Sequence, residues 1–240
     1  VAHVECDTAA CYTLKTRAAF YYLKEKGEIK VYKSYLKGKI TREELYSKIP
    51  KKILDSVINE YIGAETNKEI FRLIDTQLGD VTVDVIVGGP PCQAYSVIGR
   101  AVDKHGMKKD ERNFLYRHYA RFLRKYKPKF FVFENVLGLV SAADGKYLAN
   151  MIAYFKSIDY NVGYEIQNAA DFGVLQNRKR VLIIGWRKDL KFSYPEFEPV
   201  KHRYKVNAVF KDLSAIALGE GKEKAGHYLK EGSKYVKDYF

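Results

Sequence analysis

Apolar and polar positions along this chain follow two different periods. Short apolar runs bounded by turn residues occur at "VAHVE", "VDVIVGG", "KFFVFENV", "NVGYEIQNAADFG" and "KRVLIIGWRK", and each reads as a strand. "EIFRLID" reads as a strand as well. Apolar residues recur every three or four positions in "TAACYTLKTRAAFYYLKEKG", "FLYRHYARFLRKYK" and "GKYLANMIAYFKSIDY", the mark of amphipathic helices. Gly27 ends the first of these and Pro128 closes the second. From Glu28 to about Thr66 the chain is rich in Lys, Glu and Tyr, with helical periodicity. There "TREELYSKI" sets Thr41 three residues before Glu44, a capping-box spacing, so residues 28–66 are expected to form a helical insert. "RAVDKHGMKKDERN" has no periodicity and reads as a loop. After Pro195 the pattern loosens into an arm, residues 196–240, behind one domain over 1–195.

Strands that are continuous apolar runs and alternate with helices imply a mostly parallel sheet covered by helices on both faces. The expected fold class is therefore α/β, of the doubly wound kind.

Composition narrows the function classes. The 240 residues are 47% hydrophobic, enough for a sizeable core. No apolar run reaches the roughly 18 residues of a membrane helix, so no membrane partner is expected. Three cysteines, Cys6, Cys11 and Cys92, make no disulfide framework, which points to a reducing cytoplasm. None of the five histidines stands at metal-ligand spacing with a cysteine, and no metal site is expected. A net charge of +13 suits either a lysine-rich solvated surface or a polyanionic partner.

In open α/β sheets ligands bind beyond the carboxyl ends of strands. Two strands here end on unusual chemistry. "VDVIVGG" delivers Pro90, Pro91, Cys92 and Gln93, and "KFFVFENV" delivers Glu134 and Asn135. Most cysteines are buried structural thiols, but those belong within strands. A sulfur on a Gly/Pro-rich turn is held out and held still, as a nucleophile requires. Glu134 alone could simply cap a neighbouring amide; beside a cysteine turn, acid/base work becomes the stronger reading. "QNRKR" adds Arg178 and Arg180, two residues apart at the start of a strand and so on one face. Paired guanidinium groups can grip a polarised oxygen or a phosphate.

The order Pro-Pro-Cys-Gln, then Glu-Asn-Val, then Gln-x-Arg-x-Arg resembles the cytosine-C5 DNA methyltransferase family, and the likeness runs over nearly the whole chain. It implies an S-adenosylmethionine-dependent methyltransferase fold with an antiparallel strand at one edge. It implies S-adenosyl-L-methionine as cofactor and flipped-out cytosine in double-stranded DNA as substrate. In "HVECD", Glu5 would hold the cofactor ribose and Cys6 would lie against its adenine. In "LID", Asp75 would reach the adenine amino group and Ile74 the ring face. Leu115 of "ERNFL" and Pro90 would line the cofactor pocket. Cys92 would attack carbon 6 of the base, Glu134 would protonate N3, and Arg180 would steady O2. Arg178 would brace the cysteine turn, and Asn135 would shape the turn at Glu134. Pro91, Gln93, Ser96 and Arg100 would meet substrate DNA, with the basic loop from Arg100 to Arg112 closing over a base extruded from the duplex.

The same resemblance implies a strand with a Gly-rich turn ahead of Val1 and a target-recognition region beyond Phe240. The chain is therefore expected to be a piece of a catalytic domain, weak or inactive alone. The full-length enzyme is expected to be a monomer acting beside a cognate restriction endonuclease. An RNA cytosine methyltransferase and a nucleic-acid binder without turnover are the rival readings. A cysteine hydrolase would need a histidine base at a strand end, where neither His105 nor His118 stands.

Overall fold

A computed structural model describes residues 1–90, 115–200 and 205–210, and among these the strands form two sheets. The chain divides into two units, Val1–Val83 and Asp84–Phe240.

In the first unit, β1 (His3–Glu5) pairs in parallel with β2 (Val57–Asn59), so that Glu5 lies opposite Asn59. Helix α1 (Thr8–Glu25) follows β1 directly, and the Asp7 side chain caps it by accepting from Ala10 N at 2.7 Å. Three short helices come next: α2 (Ile29–Leu36), α3 (Arg42–Tyr46) and α4 (Lys51–Asp55). Ala19 and Leu23 of α1 bury against Leu45 and Ile49, which explains the helical periodicity of this stretch. The capping box forms as its spacing predicts: Glu44 N donates to Thr41 Oγ1, and Thr41 N donates to Glu44 Oε2 at 2.7 Å.

Two expectations for this unit need correction. The 28–66 insert is not wholly helical, because it contains β2; Val57 and Ile58 are buried and supply the strand partner that β1 requires. "EIFRLID" is not a strand. It lies in helix α5 (Asn67–Leu78), where the buried positions Asn67, Ile70 and Ile74 recur at helical spacing. Glu69 and Arg72 pair across one turn, and Gly79 with φ 58° ends the helix.

In the second unit, four strands order as β3-β4-β6-β5: β3 (Val85–Gly88), β4 (Phe130–Val136), β5 (Tyr160–Asn168) and β6 (Lys179–Arg187). β3 and β4 run parallel, whereas β6 runs against both β4 and β5. Three of the four strands thus share one direction. The antiparallel strand was expected at the edge and is instead one strand in. The reason is burial: "VLIIGW" of β6 is nearly all buried and needs partners on both sides, while β5 exposes Tyr164 and Ile166 and tolerates the edge.

Helices α6 (Leu115–Tyr126), α7 (Gly138–Ser141) and α8 (Lys146–Lys156) supply the core. Tyr119, Leu123, Met151 and Phe155 pack on Phe131, Phe133, Val181 and Ile183. Among the described residues the other face is covered by Phe192, edge-on to Phe130 and Trp186. Gly185 is required where it stands, because any β-carbon there would collide with the Phe131 ring opposite it. Tyr119 ties the two parallel strands, its hydroxyl shared between Ile86 O at 3.0 Å and Val132 O at 3.1 Å. Among the described residues no helix is long and apolar enough to cross a membrane.

Candidate active site

The carboxyl ends of β3 and β4 bring charged and amide side chains together in the second unit. β4 alternates, so Phe131 and Phe133 face the core while Glu134, next in line, faces away from it. Glu134 stands across the ladder from Leu182, and Arg180 pairs with Val136 two residues along. This register sets Arg180 Nε 2.7 Å from Glu134 Oε1, in an ion pair whose side chains are 24% and 39% exposed. Arg180 also donates from Nη1 to Lys179 O at 2.9 Å, which fixes the plane of its guanidinium. A half-buried pair of this kind keeps a charged fork and a carboxylate aimed at one spot while leaving both reachable.

Gly89 makes the approach possible. A β-carbon there would sit 3.0 Å from Glu134 Oε2 and 3.2 Å from Glu134 O. Asn135 is almost fully buried, at 1% exposure. It donates to Pro90 O at 3.4 Å and accepts from Val136 N at 2.9 Å, which joins the Gly-Gly-Pro turn to the end of β4. Of the expected site residues, Pro90, Glu134, Asn135 and Arg180 are brought together. Arg178 lies just before β6, exposed, with its backbone held on Asn168: Arg178 N donates to Asn168 Oδ1 at 3.0 Å, and Ala169 N donates to Arg178 O at 3.0 Å. Leu115 opens α6, half-buried. Pro91, Cys92, Gln93, Ser96 and Arg100 lie outside the described residues.

A second cluster lies at the carboxyl ends of β1 and β2, within the first unit. The Glu5 carboxylate accepts from Asp7 N through Oε1 at 2.9 Å, so its orientation is fixed by the turn into α1. Glu5 O accepts from Asn59 Nδ2, from Glu60 N and from the Cys11 thiol. Cys6 is exposed, and Asn59 Nδ2 also donates to its carbonyl. Desolvation first and the Glu5 side chain second push the Cys6 thiol up. Desolvation likewise pushes Cys11 up. Both therefore stay protonated at neutral pH and neither is a ready nucleophile.

Ile74 and Asp75 lie in helix α5, not at a strand end. Ile74 is buried inside α5, and Asp75 O accepts from Gly79 N at the end of that helix. The strand end beside Glu5 is instead that of β2, with Asn59 and Glu60. The only sequence signal for it was a two-residue apolar pair, Val57-Ile58, between Ser56 and Asn59. Asn168, which holds the backbone of Arg178, had no signal beyond its place at the end of a strand.

Comparison with known proteins places the chain in a family. A sequence model of the family described as C-5 cytosine-specific DNA methylase matches residues 26–238. The Type II methyltransferase M.Bpa9945I of Bacillus paralicheniformis is 34% identical over 95% of this chain and 58% of its own length. The Type II methyltransferase M.XorII of Xanthomonas oryzae is 43% identical over 55% of this chain and 30% of its own length. The chain thus spans little more than half of the first of these relatives and less of the second. Among solved structures, a prophage-encoded E. coli protein assigned as a DNA modification methyltransferase shares 28% identity at a TM-score of 0.50. That match covers 67% of this chain and 42% of the other.

Proposed function

Because the chain belongs to the C-5 cytosine-specific DNA methylase family, we propose that it carries the catalytic machinery of an enzyme that methylates carbon 5 of cytosine in double-stranded DNA. The observation that supports this most directly is the Glu134–Arg180 pair, held beside the Gly-Gly-Pro turn that leads in sequence to Cys92.

Carbon 5 of cytosine is a poor nucleophile, and the residues address that. The Cys92 thiolate adds to carbon 6, forming an S–C bond and pushing the ring electrons towards N3 and O2. Glu134 shares a proton with N3, so the ring does not carry a full negative charge. Arg180 donates to O2 from its remaining N–H groups. Carbon 5 is then enamine-like and can take an electrophilic methyl group. Loss of the carbon-5 proton and expulsion of the Cys92 thiolate restore the aromatic ring. Arg178 braces the cysteine turn, and Asn135 keeps the Pro90 and Glu134 ends in step. Gln93, Pro91, Ser96 and Arg100 contact DNA around the extruded base.

The strand ends of the first unit fit S-adenosylmethionine, which supplies the methyl group on a sulfonium when bound. A carboxylate with one oxygen fixed by a backbone N–H, as in Glu5, suits a ribose diol. A protonated Cys6 suits an uncharged adenine face. Asn59 and Glu60 stand at the neighbouring strand end. The full-length protein acts as a monomer in the cytoplasm, beside a restriction endonuclease of the same target.

The test is to express the full-length parent in a bacterial host free of 5-methylcytosine and to sequence the host DNA, with Cys92→Ser and Glu134→Gln alongside. Methylation at one short motif, absent in both variants, is the expected result. Unmethylated host DNA would overturn it, and 5-methylcytosine in RNA alone would move the substrate to RNA.

A further inference from the structure

The first unit holds a groove that the catalytic reading does not use. It measures about 490 Å³ and lies between α1, α2 and α3, within the roughly 300–1,000 Å³ range of ligand clefts. Tyr12, Phe20, Tyr21 and Tyr32 line it, and its two charged lining residues are both cations, Arg17 and Arg42.

Two of the rings stand open to solvent, while Phe20 and Tyr32 are half-buried. Tyr21 is 53% exposed and Tyr12 is 38% exposed. Phe20 stands edge-on to Tyr21 and to Tyr32, at 5.2 and 5.0 Å between centroids, so neighbouring rings brace one another. The Arg42 guanidinium lies over the Tyr12 ring at 3.6 Å, and Arg17 sits over Tyr21 at 5.7 Å. Each arginine is thus packed against an aromatic surface. Thr16 shares a hydrogen bond with Tyr46 at the base of the groove.

The surroundings add a long-range field. Residues 8–52, which run from α1 into the start of α4 and include every lining residue, hold twelve Lys and Arg against four Asp and Glu, a net of +8. The whole first unit, residues 1–83, carries only +2, fourteen basic residues against twelve acidic. The charge of the first unit is therefore concentrated in these helices, and a polyanion would be drawn to them. An acidic peptide would use the cations but leave the rings without a partner. A base with its phosphate uses both: the flat ring stacks on tyrosine, and the phosphate meets a guanidinium.

We propose that this groove binds single-stranded nucleic acid, stacking an unpaired base on Tyr21 and gripping the adjacent phosphate with Arg17 and Arg42. It uses none of the residues assigned to methyl transfer, and it makes α1, with Tyr32 and Arg42 of the insert, an accessory nucleic-acid contact.

The experiment is a fluorescence-anisotropy titration of the full chain with fluorescein-labelled dT12, which lacks cytosine and so offers no methylation target. Tyr21→Ala and Arg17→Ala are each expected to weaken binding by about tenfold, while Tyr21→Phe, which keeps the ring, stays within about twofold. Both positions are exposed, and unchanged melting temperatures will show that the variants fold. Cys92→Ser should leave this binding at the wild-type level, which separates failure here from failure of the catalytic reading. Affinity for dT12 unchanged in both alanine variants would overturn the proposal. So would equal competition by a duplex of the same length, which would mean that unpaired bases are not read. Equal competition by polyglutamate, lost in the same variants, would reduce the groove to a site for anions in general and also overturn it.

Discussion

Gly89→Ala tests whether the position of the Glu134 carboxylate, and not the fold, limits the chemistry. Gly89 has backbone angles outside the left-handed region, so alanine costs no strain there and should gain slightly from a less flexible unfolded chain. The new methyl would lie 3.0 Å from Glu134 Oε2 and 3.2 Å from Glu134 O, against a comfortable separation of about 3.5 Å. The carbonyl oxygen yields less readily than the side chain, because Glu134 is held in the ladder opposite Leu182 of β6. The carboxylate must move by a few tenths of an ångström, and its 2.7 Å contact with Arg180 lengthens or turns. Misplacement of reacting groups by about 1 Å costs on the order of 100-fold in rate, so the smaller shift predicts about a tenfold loss. The assay is single-turnover methyl transfer by the full-length enzyme to a cytosine-containing duplex, with a melting curve on the same sample. The expected outcome is slowed transfer with a melting temperature within about 2 °C of wild type. A wild-type rate would refute the reasoning, and so would a rate loss matched by a collapse in melting temperature.

Three further outcomes follow from the geometry. Arg180→Lys keeps the charge but not the fork, and transfer should fall by about 100-fold with little change in stability, which single-turnover rates will show. Tyr119→Phe removes the hydroxyl shared by Ile86 O and Val132 O and should cost about 1 kcal/mol, or about 2–4 °C in a melting scan. Tyr160 donates to Pro128 O at 2.8 Å, and Tyr194 donates to Leu182 O at 3.1 Å; burial pushes both phenols up to about 12. Between about pH 10 and about pH 12 the folded chain keeps protons that the unfolded chain releases, so stability falls as pH rises through that window. Denaturant midpoints measured across it should drop, and Tyr160→Phe should flatten the drop.

The sequence by itself determined the class of fold and the chemistry at its strand ends. β3, β4, β5 and β6 and helices α1, α6 and α8 were legible because their apolar residues form continuous runs or recur at helical spacing. Glu134, Asn135 and Arg180 were legible because charged or amide residues directly beside buried strands need a reason to be there. Tertiary structure decided the rest. "EIFRLID" fits strand and helix patterns equally over seven residues, and only the packing of Asn67, Ile70 and Ile74 at helical spacing resolves it. β2 is three residues long and exists because β1 offers it a ladder, a contact between positions more than fifty residues apart. The place of β6 inside the sheet follows from which strand can leave an edge exposed, a comparison between strands that no single stretch contains. The 2.7 Å pairing of Arg180 with Glu134 depends on that same register, Val136 opposite Arg180. Local periodicity specifies elements; only the register between distant strands brings their polar ends together.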